Sequence, residues 1–221
     1  VTLHIGTHWQ LSAQTNEGVL QLAPSFFQGE LDWRRKHSIG KSEPVVKAIW
    51  GRQECAPSVF DATAGLAKDA FLLASSGCQV HAMEQHPLLF ALIEHALTQT
   101  QLIDDEHLKS IQQRLHYTHG DSATFIAKQP AAFVDVIYLD PMFPPRPGSA
   151  KVKKDMQLLQ HLTEPGLGEN LLELSLSKAK QKVIVKRPNY APPLANKKPS
   201  ASQPAGLNRF DIYPVQQSTP A

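Results

Sequence analysis

The segment Asp140-Pro141-Met142-Phe143-Pro144 joins a carboxylate, a proline carbonyl and an aromatic ring. Before it runs the apolar string Val134–Leu139, which predicts a buried strand ending at Asp140. An acid and a carbonyl at a strand end present two acceptors in fixed geometry. An exocyclic aromatic amine offers two N–H donors and a lone pair delocalised into its ring. Holding both donors localises that pair and aims it at an electrophilic carbon, which is catalysis by orientation more than by strong base. Phe143 suits stacking of the base that carries the amine, and such chemistry requires the base to leave its stack. The bland alternative is that Asp140-Pro141 only ends a strand and Phe143 fills the core.

Three further acids stand at predicted strand ends: Asp61, Glu84 and Asp121. Asp69 falls in the first turn of the helix that follows Gly65. A dinucleotide site would show G-x-G-x-x-G after the first strand, because a pyrophosphate needs close backbone approach and a helix N-terminus. Here the loop is Asp61-Ala62-Thr63-Ala64-Gly65-Leu66-Ala67, with one glycine, which argues against NAD or FAD. Glu84 lies 23 residues past Asp61, where a carboxylate accepts from a ribose diol. Asp121 stands where an adenine amino group can donate. A phosphate-free nucleoside with cationic groups fits this acidic rim, and S-adenosylmethionine is such a ligand.

The elements that must position these residues alternate between strand and helix. Strands are expected over 58–61, 79–83, 116–119, 134–139, 182–186 and 209–215, and helices over 68–76, 87–98, 104–115, 155–162 and 169–180. That alternation predicts an α/β fold, a mostly parallel sheet with helices on both faces, with ligands beyond the strand carboxyl ends. Upstream, 18–23 and 26–33 flank Pro24-Ser25 and predict a hairpin, and Glu43–Trp50 a helix capped by Ser42. Residues 187–207, rich in Pro, Ala and Lys, predict a long surface loop. The expected division is 1–41, hairpin and basic segment; 42–215, catalytic domain; and 216–221, tail.

The 221 residues are 42% hydrophobic and 19% charged, ordinary globular composition that excludes a disordered or fibrous protein. A net charge of +2 does not by itself call for nucleic acid. No stretch approaches the roughly 18 apolar residues of a membrane span, and no secretory leader pattern opens the chain. Cys55 and Cys78 make neither a disulfide framework nor a zinc site, and His4/His8 and His116/His119 lack suitably spaced partners. The expectation is a cytoplasmic protein with no metal and no membrane partner. Positive charge is clustered at Arg34, Arg35 and Lys36, at Arg146, Lys151, Lys153 and Lys154, and at Lys186 and Arg187. A charge run is usually a solvated face. Flanking the mouth of a site, these clusters predict contacts to RNA phosphates.

The strings Asp61–Phe71, Tyr138–Pro144, Val185–Asn196 and Arg209–Tyr213 resemble the RsmJ family of bacterial small-subunit ribosomal RNA guanine-N2 methyltransferases. Met142 stands where the commoner amino-methyltransferase motif has a second proline. The resemblance implies a class I S-adenosylmethionine-dependent methyltransferase fold (Rossmann-like) with a small N-terminal appendage. It implies cofactor contacts at Lys68, Asp69, Glu84, Gln85, Asp121, Ser122 and Asp140. Its partner would be 16S ribosomal RNA or the small ribosomal subunit. Asp140 and Pro141 would orient the guanine N2 amine and Phe143 would stack the base. The family usually has Gly at Ala67, so a negative φ is expected there. Rival readings are an amino-methyltransferase acting on adenine N6 or a protein glutamine, and a non-catalytic RNA-binding assembly factor.

Overall fold

The computed structural model describes residues 1–15, 18–37, 42–143, 157–159, 162 and 169–215. The strands of its main sheet are β4 (Ser58–Asp61), β5 (Gln79–Glu84), β6 (Leu115–His119), β7 (Val134–Leu139), β8 (Ala179–Pro188), β9 (Ala201–Ala205) and β10 (Asn208–Pro214). They run in the order β6-β5-β4-β7-β8-β10-β9. The first five in that order are parallel, β10 runs antiparallel to β8, and β9 runs antiparallel to β10. The order reverses between β4 and β7, which opens a crevice beyond their carboxyl ends. Asp61 ends one of these strands and Asp140 follows the other.

Strand periodicity divides the core. On one face Val59, Val80, Val136, Tyr138, Ile184 and Phe210 pack under α2 (Pro44–Trp50), α3 (Lys68–Ser75), α4 (Pro87–Gln99) and α5 (Glu106–Arg114). On the other, Phe60, Ile137, Leu139, Val183 and Val185 pack under α6 (Ser122–Ala127) and α7 (Glu169–Lys178). β7 is buried on both faces, so its sequence is an apolar run without alternation.

The N-terminal expectation changes. The hairpin pairs β2 (Gln10–Thr15) with β3 (Gly18–Leu22), and β1 (Thr2–His4) adds to its edge. Residues 26–33 are not a strand; Gly29–His37 forms helix α1. Glu30 and Asp32 lie in its first turn and four basic residues in its last, charges that complement the helix dipole. Phe26 is buried against Phe71 of α3, with ring centroids 5.0 Å apart, so this segment shares the core of the main sheet. The cap of α2 is Glu43 rather than Ser42, without a side-chain cap bond. The expected loop over 187–207 holds the extra strand β9. The expected helix over 155–162 and the tail 216–221 lie largely or wholly outside the described residues. No helix among the described residues is long and apolar enough to cross a membrane.

Candidate active site

A cavity of about 600 Å³ opens at the strand switch. Its wall begins with the loop after β4. Ala62 N donates to Tyr138 O at 3.0 Å, and Ala64 N donates to Met83 O at 3.2 Å, so the loop is stitched to both neighbouring strands. Thr63 N donates to Asp61 Oδ1 at 3.1 Å. Thr63 Oγ1 in turn accepts from Asp140 N at 2.6 Å, which couples the two strand ends. Gly65 takes a φ of 51°, and its N–H donates to Glu84 Oε2 at 2.9 Å. Ala67, expected at negative φ, sits at 53° instead. The chain must turn sharply there to enter α3, and the loop bonds impose the left-handed conformation on a residue with a Cβ.

Glu84 is buried at the end of β5. Its Oε1 accepts from His86 N at 2.7 Å, so backbone N–H groups hold both carboxylate oxygens and acceptor capacity remains. Burial pushes its carboxyl above the usual range, against the pull of those N–H groups. Asp121 caps α6: its Oδ2 accepts from Thr124 N at 2.8 Å and Thr124 Oγ1 at 2.6 Å, and those bonds lower its pKa. Lys68, Asp69, Gln85, Ser122, Pro141 and Phe143 join Glu84, Asp121 and Asp140 on the cavity wall.

At the centre lies an ion cluster. Lys186 Nζ donates to Asp69 Oδ2 at 2.8 Å and to Asp140 Oδ2 at 2.9 Å. The Tyr138 hydroxyl donates to the same Asp69 oxygen at 2.7 Å. Asp61 is 1% exposed, and burial raises its pKa to about 8. Burial would also raise Asp69, but Lys186 and the Tyr138 hydroxyl hold it below the usual carboxylate range. Asp140 stays above that range because burial outweighs the pull of Lys186. Its side chain is 39% exposed and lines the cavity.

Five of the residues expected on RNA phosphate are engaged by other groups of the protein. Lys186 bridges two carboxylates. Arg187 is buried; it donates to Pro192 O at 3.0 Å and stands over the Phe143 ring at 4.4 Å. Arg35, 4% exposed, pairs with Asp32 and Asp105 at 2.7 Å each. Lys36 pairs with Asp32 at 2.8 Å. Arg34 binds both oxygens of Glu43, with Nε–Oε1 at 3.0 Å, and lines the cavity. Lys186, Arg34, Arg35 and Lys36 are held because an acid stands three or four residues away on the helix or across a tertiary contact, whereas Arg187 is held by a backbone carbonyl. Arg146, Lys151, Lys153 and Lys154 lie outside the described residues. Among those described, no group of three or more His, Cys, Asp or Glu is set to hold a metal.

Thr63, Tyr138, Leu207 and Asn208 also line the cavity and were not anticipated. Tyr138 comes to the site because β7 pairs it directly with Asp61 of β4, a register that only the folded sheet shows. Nothing local marks Leu207, which the β9–β10 turn brings to the wall.

The small-residue loop offers no run of glycine amides for a phosphate, while Glu84 offers a buried two-oxygen acceptor. Acids predominate on the wall, so the donor set fits a cationic, phosphate-free nucleoside. Fold and site together define a class I S-adenosylmethionine-dependent methyltransferase. The family model for SAM-dependent methyltransferases matches residues 2–215. Ribosomal RNA small subunit methyltransferase J of Colwellia psychrerythraea is 42% identical over 198 residues, covering 88% of this chain and 70% of that protein. Its counterpart from Haemophilus ducreyi is 43% identical over 201 residues, covering 89% and 78%. A SAM-dependent methyltransferase from Neisseria gonorrhoeae superposes with a TM-score of 0.67 at 26% identity, over 98% of this chain and 87% of that one. A 16S rRNA N2 methyltransferase of T. thermophilus, solved with AdoMet and guanosine, shares the fold with a TM-score of 0.53 at 16% identity, over 96% of this chain and 52% of that one. This chain belongs to the ribosomal RNA small subunit methyltransferase J family.

Proposed function

We propose that this protein methylates the exocyclic N2 amine of a guanine in bacterial 16S ribosomal RNA, using S-adenosylmethionine. The observation that carries the reading is Asp140: it stands at the strand switch with Pro141 and Phe143, and all three line the cavity. The relatives' names supply the substrate class. A ribosomal substrate supports a cytoplasmic location.

Glu84 would hold the ribose diol of the cofactor through its remaining lone pairs. Ser122 and Asp121 would meet its adenine end, with the Asp121 carboxyl fixed by the helix cap. Asp69, Lys68 and Gln85 would meet the rest. When bound, S-adenosylmethionine supplies a methyl group activated by a sulfonium. Asp140 Oδ1 and the Pro141 carbonyl would accept the two N–H bonds of the amine, because Asp140 Oδ2 is already engaged by Lys186. Phe143 would stack the extruded base on the ring face away from Arg187.

The decisive experiment is methyl transfer from labelled S-adenosylmethionine to unmodified 16S RNA and to small subunits, with the product nucleoside identified by mass spectrometry. The expected product is N2-methylguanosine, lost at least 100-fold in Asp140→Ala while cofactor still binds. Label in N6-methyladenosine or in protein glutamine would move the target. Cofactor binding without transfer to any substrate would favour an assembly factor.

A further inference from the structure

The cluster at the switch holds more charge than orienting an amine requires. Two carboxylates, from Asp69 on α3 and Asp140 after β7, share one ammonium from β8. Lys186 is there by strand parity. Ile184 packs into the core on the face of β8 that carries α3, and Lys186, two residues on, takes that same face. Its ammonium is therefore aimed into the protein. We propose that Lys186 is a positioning residue for methyl transfer: by tying Asp140 Oδ2 to Asp69, it presents Asp140 Oδ1 to the target amine as an ionised acceptor.

This rests on the function proposed above and adds a residue to it. In the reaction the amine nitrogen forms a bond to the methyl carbon, and the carbon–sulfur bond breaks with its electron pair going to sulfur. One N–H proton must leave the nitrogen, and Asp140 Oδ1 is the acceptor that Lys186 leaves open. Lys186 is the strongest pull on the Asp140 carboxyl towards its ionised form, against burial and the groups that face it. Those groups are Asp69 from α3, Asp61 from β4 and the Tyr138 hydroxyl from β7, while Arg187 from β8 adds a weaker pull in the same sense as Lys186. Arg34 from α1 faces Asp69 across the cavity wall and is itself held by Glu43. Without Lys186, two carboxylates would share a low-dielectric site with no ammonium between them, and one would take up a proton.

The test compares wild type, Lys186→Met and Lys186→Arg in kcat/KM against pH on unmodified small subunits or 16S RNA. Carboxyl carbon NMR titration of Asp140 runs in parallel. Lys186→Met should move the acid limb up by at least one pH unit, so that the rate deficit is at least tenfold larger at pH 6 than at pH 9. The Asp140 carboxyl midpoint should rise with it, and Lys186→Arg should restore both. Lys186→Gln replaces the Met variant if the latter does not fold. A deficit equal at every pH, with an unmoved midpoint, overturns the proposal and leaves Lys186 a structural group. An unshifted limb with a shallower salt dependence of RNA binding overturns it in favour of a phosphate contact. A wild type that makes no methylated guanine overturns the underlying reading, whereas an active wild type with an unshifted Lys186→Met limb overturns only the role of Lys186.

Discussion

Asp61 shows how a single buried acid can be read in both directions. The sequence places it at a strand end beside the small-residue loop, and the structure puts it there. Its burial is a tertiary fact, and burial lifts its pKa to about 8. The folded state therefore binds a proton that the unfolded chain releases near the ordinary aspartate value of about 4. Stability from this group is complete below that value and is lost as pH rises towards 8. Asp61→Asn keeps the shape and removes the titration. Its melting temperature should exceed that of wild type at pH 8, with the difference shrinking as pH falls to 4; a difference constant across that range would refute the assignment. Glu84 is the complementary case. A carboxylate 23 residues after Asp61 was legible as a ribose acceptor. The backbone donors Gly65 and His86, which help to aim it, belong to loops whose approach only folding decides.

At the scale of elements, the strands and their acids were largely legible, because β7 is an apolar run, β8 has an apolar centre at Val183-Ile184-Val185, and the loop residues break them. The misread elements have physical causes. Residues 26–33 alternate as a strand would, yet they begin a helix, since Gly29 at a φ of 72° turns the chain and Asp32 pairs with Arg35 and Lys36 at helical spacing. β9 escaped notice because its ASQPA sequence carries no strand propensity; pairing with β10 imposes the strand. Ala67 is a local conflict of the same kind, a residue with a Cβ in left-handed conformation. Ala67→Gly relieves about 1–2 kcal/mol of strain and loses about 0.8 kcal/mol of methyl burial. Its unfolding free energy should therefore stay within about 1 kcal/mol of wild type. Ala70→Gly, inside α3 and equally buried, should lose about 2 kcal/mol by the same urea titration. Equal losses at both positions would mean that the loop does not strain Ala67.

Across the whole molecule, the N-terminal sheet and α1 are bound to the main sheet by a common core and by Arg35, which joins Asp32 on α1 to Asp105 at the start of α5. That ion pair separates two meanings of a basic residue. If Arg35 met phosphate, removing it would flatten the salt dependence of RNA binding by about one charge. Buried as it is, Arg35→Gln should instead lower stability by about 3–5 kcal/mol in denaturant and leave the salt slope unchanged. A flattened slope with unaltered stability would restore the phosphate role.

The sequence by itself determined the parallel core strands β4 to β8 and most of the helices between them, the strand-end acids Asp61, Glu84, Asp121 and Asp140, and the resemblance that named a methyltransferase. These are local properties: apolar runs, turn residues and motif strings survive without knowledge of neighbours. The tertiary structure alone decided where the positive charges go. Lys186 and Arg187 are adjacent in a basic pair, but strand parity sends one ammonium between Asp69 and Asp140, while the neighbouring guanidinium stands over Phe143. A charge in sequence has no address until a fold brings its counter-charges within about 4 Å, and here that distance separates a surface for RNA from the interior of a catalytic site.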